Sequence, residues 1–281
     1  MAGLITRFAP SPTGPLHLGH AFSALTAWDI ARARGGQCLL RIEDIDQPRC
    51  RPEYEAAIRD DLRWLGLSWP EPVLRQSDRL PAYRTALKRL TALGLTYACT
   101  CTRADIRAAL SAPQEGTPLI GPDGPVYPGT CRHAGHTCDG AAIRLNMSAA
   151  LTHLTAPLTF TETGPLHPGE HPIDPHYLLT HVGDIVLARR DIGTSYHLSV
   201  VLDDAAQNVT LVTRGADLFD ATPLHILLQR LLDLPHPAYH HHRLIRDEHG
   251  KRLAKRDDAR ALSTYRAQGL TPADICRLLD F

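Results

Sequence analysis

The chain has 281 residues, 43% of them hydrophobic, enough to bury a sizeable core in one large or two smaller domains. Its 30 Lys and Arg balance 30 Asp and Glu, so overall charge excludes a globally basic nucleic-acid binder, and any such contact must rest on local patches. No apolar run approaches the roughly 20 residues of a membrane span, and MAGLITRFAP lacks the pattern of a signal peptide, so a soluble cytoplasmic protein is expected.

Leu4-Ile5 leads as a strand into Arg7-Phe8-Ala9-Pro10-Ser11-Pro12-Thr13-Gly14-Pro15-Leu16-His17-Leu18-Gly19-His20. Prolines fix φ and glycines permit positive φ, so this stretch is a turn. Phe22, Leu25 and Trp28, three apart, then predict a helix that Gly35-Gly36 ends. A strand, a tight turn and a helix N-terminus make a site for an anion. His17 and His20 can both donate to phosphate oxygens there, although two surface histidines on an ordinary loop would read the same way. Gln37–Ile42 is the next predicted strand, ending in Arg41-Ile42-Glu43-Asp44-Ile45-Asp46. Its three carboxylates are costly unless they meet cations or a polar ligand. At a strand's carboxyl end they can hold an ammonium group, and they equally suit a solvated turn partnered by Arg49 and Arg51. Pro52 opens a helix with Tyr54, Ile58, Leu62 and Leu65 on one face, stopped by Gly66. Pro81 opens another with Tyr83, Leu87 and Leu90, and Gly94 lies past its end. Thr96–Cys99 reads as a further strand. This alternation over residues 1–98 predicts a parallel sheet with helices on its faces and ligands at the carboxyl ends of its strands.

Residues 99–175 are rich in Pro, Gly, Thr and His and read as an inserted subdomain of strands and loops. The chain's seven cysteines suit reduced thiols or a metal site better than a disulfide framework. Cys99 and Cys101, with Cys131 further on, can supply thiolates to a tetrahedral zinc. Tyr127, His133, His136 and Cys138 compete on spacing for the fourth position, and buried or free thiols fit the same pattern. Over 176–234 the apolar runs 177–179, 184–187, 198–202 and 209–212 predict strands rejoining the sheet, and Thr222-Pro223 opens a helix over 224–232. His240-His241-His242 cannot all face one ion and read as loop or surface. Residues 235–281 form a short tail, basic around 243–256 and helical at its end. Four cations within 251–256 can close over a triphosphate and stabilise a pyrophosphate leaving group, or form a solvated surface. The segment 243–256, with six basic residues against Asp247 and Glu248, is expected to face RNA.

In this order the motifs resemble a known family. The Pro-Ser-Pro-Thr-Gly-x-Leu-His-Leu-Gly-His turn and Arg252-Leu253-Ala254-Lys255-Arg256 resemble the two signatures of class I aminoacyl-tRNA synthetases. Arg7-Phe8-Ala9-Pro10-Ser11, the Arg41 to Asp46 motif and Val212-Thr213-Arg214-Gly215-Ala216-Asp217-Leu218 resemble the glutamyl/glutaminyl branch, and Ala9-Pro10-Ser11 its glutamyl side. Only 26 residues follow Lys255, so no anticodon-binding domain is expected. That shortened plan, with a Cys-x-Cys and Tyr-x-x-x-Cys insert, resembles the glutamyl-Q tRNA(Asp) synthetases. That family activates glutamate with ATP and attaches it to the queuosine base in the anticodon of tRNA(Asp).

The resemblance implies an α/β fold, a class I Rossmann-type parallel sheet with an inserted zinc-binding subdomain and a short helical C-terminal segment. It places Arg7, Phe8, Ala9, Pro10, Ser11, Glu43, Tyr196 and Arg214 around glutamate, with Arg7 on a carboxylate and Glu43 on the ammonium. His17, Gly19, His20, Asp217 and Lys255 fall at ATP, with His17, His20 and Lys255 as the catalytic residues. One structural zinc falls on Cys99, Cys101, Tyr127 and Cys131, and Mg2+ accompanies the nucleotide. The implied partner of the monomer is a tRNA(Asp) anticodon loop carrying queuosine. Arg252 stands where a lysine is usual, keeping the charge. Ala254 stands where a serine is usual, which removes a hydroxyl from the loop. Two alternatives remain: a shortened synthetase serving another acceptor, and a non-catalytic zinc-stabilised RNA-binding module. The second gives no reason for His17, His20, Glu43, Arg214 and Lys255 to occur together.

Overall fold

The computed structural model describes residues 3–111, 119–246 and 260–281. Strand β1 (Ile5–Phe8) pairs in parallel with β2 (Gln37–Ile42), Ile5 opposite Gln37 and Phe8 opposite Leu40. Between them runs α1 (Leu18–Ala33), which turns buried Phe22 and Leu25 to the sheet. Its exit passes so close to the start of β1 that a Cβ on Gly36 would meet the Leu4 carbonyl oxygen at 2.3 Å. Helix α2 (Pro52–Trp64) starts at its proline, whose missing N–H has no partner to lose at a helix start, and buries Ile58 and Leu62. Strand β3 (Leu74–Arg75) adds in parallel to β2, and α3 (Leu80–Ala92) follows with Tyr83 and Leu90 buried.

Strand β4 (Thr96–Cys99) has the expected bounds but leaves the parallel sheet. It pairs antiparallel with β7 (Ala142–Leu145), which pairs antiparallel with β10 (Val186–Ala188). Between β4 and β7 lie α4 (Arg103–Ser111) and a small hairpin of β5 (Ile120–Gly121) and β6 (Gly124–Pro125). After α5 (Met147–Thr152) comes a second hairpin, β8 (Thr159–Glu162) and β9 (Gly169–Pro172). Then α6 (Pro175–Tyr177) runs into a π-helical turn, Leu178–Val182. The chain closes with α7 (Tyr196–Ala206), β11 (Leu211–Gly215), α8 (Thr222–Leu231), β12 (Ala238–His242), α9 (Leu262–Ala267) and α10 (Pro272–Leu278).

Strand β12 pairs in parallel with β11 on one side and β8 on the other. Strand β11 lies along β1, where Thr210 N donates to Ile5 O at 2.9 Å. The two parallel sheets, β3-β2-β1 and β11-β12-β8, therefore meet with the carboxyl ends of β1 and β11 side by side. In open α/β sheets that crevice is where ligands bind.

Five further readings of the sequence differ from this arrangement. Residues 177–179 are helical, and the run 184–187 contributes a strand only to the antiparallel sheet. Residues 198–202 are not a strand but the middle of α7, capped by Ser195. Seven of its residues from His197 to Asp204 are buried, so it shows no polar face and its apolar run looks like a buried strand. The hairpin β8–β9 falls inside the expected insert, yet β8 pairs with the main sheet opposite Tyr239. His240-His241-His242 is neither loop nor surface: it ends the central strand β12, with His241 and His242 buried.

One core gathers α3, α5, α7 and α8 around β11 and β12, and a second packs α1, α2, β1 and β2 against Leu262, Ile275 and Leu279 of the C-terminal segment. Among the described residues no helix is long and apolar enough to cross a membrane.

Candidate active site

His17 caps α1. Its Nδ1 accepts from Gly19 N at 3.1 Å, while His20 Nδ1 accepts from His17 N at 3.2 Å, a reciprocal capping box built from two histidines. A neutral imidazole with an accepting Nδ1 carries its proton on Nε2. The two rings stand 3.8 Å apart, so the N-terminus of α1 presents a pair of N–H donors in addition to its helix dipole.

A cleft of about 430 Å3 opens at this turn. Arg7, Phe8, Ala9, Pro10, Ser11, His17, Gly19, His20, Glu43, Tyr196, Arg214 and Asp217 all line it. Four separated stretches of sequence thus converge at the carboxyl ends of β1, β2 and β11 and the N-terminus of α7. The predicted loop residues Arg252, Leu253, Ala254, Lys255 and Arg256 lie outside the described residues.

Both predicted arginines of the cleft are held by protein acceptors. Arg7 Nε donates to Asp204 at 2.9 Å, and its Nη1 donates to Thr213 O at 2.9 Å. Arg41, fully buried, donates to the same Asp204 at 2.6 Å and to Glu43 at 3.1 Å. Burial pushes the Asp204 carboxyl up, but Arg7 and Arg41 outweigh it and hold the group below its ordinary value. For Glu43 burial wins over the same two arginines and the carboxyl is raised. Arg214 donates from Nε to His241 Nε2 at 3.0 Å, from Nη1 to His225 Nδ1 at 2.8 Å and from Nη2 to Thr222 Oγ1 at 2.7 Å. His241 in turn donates from Nδ1 to Glu162 at 2.5 Å. Asp204, His225, His241 and Glu162 are the residues that sequence reasoning missed. The one available signal was Asp203-Asp204 inside an apolar run.

A second cluster lies in the insert. The Sγ atoms of Cys99, Cys101 and Cys131 lie within 4.8 Å of one another. The Tyr127 hydroxyl is 3.4 Å from Cys99 Sγ and 3.5 Å from Cys101 Sγ. Zinc bound tetrahedrally at its usual Zn–S length spaces two sulfurs roughly 3.8 Å apart, so this donor set and its size fit that ion. His133, His136 and Cys138 are exposed and outside the cluster. The Arg144 guanidinium stacks 3.8 Å over the Tyr127 ring. Arg144 and Tyr127 also line a larger cavity of about 1080 Å3, which shares Ser11, Thr13, Glu43 and Tyr196 with the first cleft. Arg103, Arg107, Arg189 and Arg190 stand around it.

Residues 3–133 and 173–280 match the catalytic domain of the class I tRNA synthetases (E and Q). A glutamyl-Q tRNA(Asp) synthetase of Rhodobacter capsulatus is 65% identical over 281 residues, covering 98% of this chain and 99% of the relative. One of Nocardia farcinica is 44% identical over 276 residues, covering 97% and 82%. The solved glutamate-tRNA synthetase of Elizabethkingia anophelis superposes with a TM-score of 0.76 at 25% identity, over 96% of this chain. The chain spans 60% of the length of that larger synthetase. By these matches the chain belongs to the class I tRNA synthetases of the glutamate and glutamine type. Its family within that class is the glutamyl-Q tRNA(Asp) synthetases.

Proposed function

We propose that the protein activates glutamate with ATP and transfers the glutamyl group to queuosine in tRNA(Asp). The observation that carries this reading is the convergence in one cleft of a carboxylate for an ammonium group, Glu43, two arginines, and a helix N-terminus bearing His17 and His20. An α-carboxylate oxygen of glutamate attacks the α-phosphorus of ATP, the bond to the β,γ-phosphates breaks, and pyrophosphate leaves. No protein nucleophile takes part, so the catalytic contribution is positioning and charge stabilisation. Glu43 holds the substrate ammonium, with Tyr196 and the Arg7 to Ser11 stretch forming the rest of the pocket. Arg7 and Arg214 set a positive field for a dicarboxylate while their strongest bonds stay within the protein. The Nε2–H groups of His17 and His20 donate to phosphate oxygens, and Asp217 lines the nucleotide end. Lys255 neutralises the departing pyrophosphate, and Mg2+ accompanies the nucleotide.

In the second step a hydroxyl of the modified base attacks the acyl carbon, the acyl–phosphate bond breaks, AMP leaves, and the hydroxyl proton passes to the departing phosphate or to water. The larger, arginine-walled cavity beside the glutamate pocket supports entry of the nucleic acid from that side. Cys99, Cys101, Cys131 and Tyr127 would hold zinc with four protein ligands and no open position, a structural site.

ATP–pyrophosphate exchange with each amino acid, without tRNA, is expected to respond to glutamate. Labelled glutamate is then expected to move to tRNA(Asp) that carries queuosine and not to tRNA(Asp) without it. Absence of glutamate-dependent exchange would overturn the reading. Lys255→Ala is expected to slow adenylate formation by about 10²–10³ while the melting temperature stays unchanged. RNA binding that weakens little between low and moderate salt would count against phosphate contacts by the segment 243–256.

A further inference from the structure

One chain of hydrogen bonds runs from the cleft into the insert. Arg214 Nη1 meets His225 Nδ1 at 2.8 Å, His225 Nε2 meets His197 Nδ1 at 2.8 Å, and His197 Nε2 meets both oxygens of Asp123 at 2.8 and 2.9 Å. A guanidinium can only donate, so His225 Nδ1 must accept. Burial, reinforced by Arg214, holds His225 well below the ordinary histidine range, so it is neutral and its proton sits on Nε2. That proton is donated to His197 Nδ1, which leaves the His197 proton on Nε2, aimed at the Asp123 carboxylate. Every link then has one direction. A matching arm runs from Arg214 Nε through His241 to Glu162 within the main sheet.

We propose that Asp123 is a positioning residue for the amino-acid pocket: from the insert, through His197 and His225, it fixes the orientation of the Arg214 guanidinium. The proposal rests on the reading of that cleft as a glutamate site. A neutral histidine can carry its proton on either nitrogen. With the proton on Nδ1, His225 would turn a donor toward the donors of Arg214. Asp123 is an obligate acceptor at the far end, and it excludes that arrangement along the whole chain. The half-exposed residue sits in the turn between β5 and β6, and at Gly121 the hairpin runs close against the π-helical turn. A Cβ on Gly121 would meet the His181 carbonyl oxygen at 2.1 Å, so no side chain fits between β5 and the π-helical turn. The same hairpin leads directly into Tyr127 of the cysteine cluster. The geometry of the insert is therefore transmitted to an arginine of the catalytic cleft.

The test compares Asp123→Ala, Asp123→Asn and Gly121→Ala in glutamate-dependent ATP–pyrophosphate exchange. Proton-detected 15N spectra of the histidine ring nitrogens accompany it. Asp123→Ala is expected to raise the KM for glutamate roughly tenfold with the KM for ATP unchanged. Asn still accepts from His197 Nε2–H, so Asp123→Asn is expected to restore KM to within about twofold. Gly121→Ala, which displaces the hairpin without touching the chain, is expected to raise the KM for glutamate as Asp123→Ala does. The wild-type spectrum is expected to show His197 and His225 protonated on Nε2. An Nδ1–H form of His225, or an unchanged glutamate KM in Asp123→Ala, overturns the proposal. If the wild type shows no glutamate-dependent exchange, the reading of the site fails instead, and the ring-nitrogen spectrum still decides the hydrogen-bond chain.

Discussion

Asp204 is enclosed by two guanidiniums, Arg7 at 2.9 Å and Arg41 at 2.6 Å, at the meeting of β1, β2 and α7. A buried charge is tolerated only when it is paired, so removing this carboxylate leaves Arg7 without its ion partner and Arg41 with Glu43 alone. Asp204→Ala is expected to destabilise the fold by about 3–5 kcal/mol in urea unfolding, more than loss of an exposed pair such as Arg32–Asp29. Glu43 is a different case. Its carboxylate lines the cleft and shares Arg41 with Asp204. Glu43→Gln removes the negative charge proposed for the substrate ammonium, and glutamate-dependent exchange is expected to fall roughly 10- to 100-fold in kcat/KM with the KM for ATP preserved. At this scale the sequence showed residues that line the cleft and hid those that hold them. Arg7, Glu43, His17, His20 and Arg214 sit in short motifs with recognisable chemistry. Their partners are far away in the chain: Asp204 is 197 positions from Arg7, and His241 is 27 from Arg214. No spacing rule connects such pairs until the sheet has formed.

The pairing of β8 with β12 depends on one such partner. Glu162 Oε1 accepts from His241 N at 2.9 Å and Gly164 N at 2.5 Å, while Oε2 accepts from the His241 ring. Burial raises its carboxyl, but these donors outweigh burial and bring it from 4.5 down to about 2. A depressed carboxyl stabilises the fold fully above its unfolded value and loses that contribution as pH falls toward the folded one. The loss falls between about pH 5 and pH 2 and is on the order of 3 kcal/mol. His241, held below its ordinary value by burial, adds to the same acid sensitivity, because the unfolded chain takes up a proton that the folded ring resists. Glu162→Gln is expected to lower the urea midpoint at pH 7, with the gap from wild type closing as pH approaches 2. Elements with a visible face or punctuation were legible: β2 has its predicted bounds, and α2 starts at Pro52. Elements enclosed on all sides were not. Helix α7 shows no polar stripe, and the histidines of β12 look like surface residues until Glu162 and Arg214 supply their partners.

Across the whole molecule, the parallel sheets carry the candidate active-site cleft and the antiparallel sheet carries the cysteine cluster. The expected α/β plan with an insert is present, but the chain crosses between the parts more often than composition suggested. Strand β10 belongs to the antiparallel sheet and lies just before α7, while β8 returns to the parallel one. The two parts are therefore joined by several strands, and a disturbance in one reaches the other. Zinc bound at Cys99, Cys101, Cys131 and Tyr127 would tie the end of β4 to the segment after β6. That segment begins at the hairpin bearing Asp123. Removal of the metal by a chelator, or Cys131→Ser, is expected to lower the thermal midpoint by several degrees, since a structural site with four protein ligands contributes directly to folding. The core around α1, α2 and the C-terminal helices makes no use of the cluster, so most of the far-ultraviolet circular dichroism is expected to persist. If the insert sets the histidine chain, chelation is also expected to reproduce the Asp123→Ala pattern: a higher KM for glutamate, an unchanged KM for ATP, and altered ring-nitrogen signals of His197 and His225. A chelated protein that unfolds further but keeps its glutamate KM would place the cluster in local stability alone, separate from the pocket.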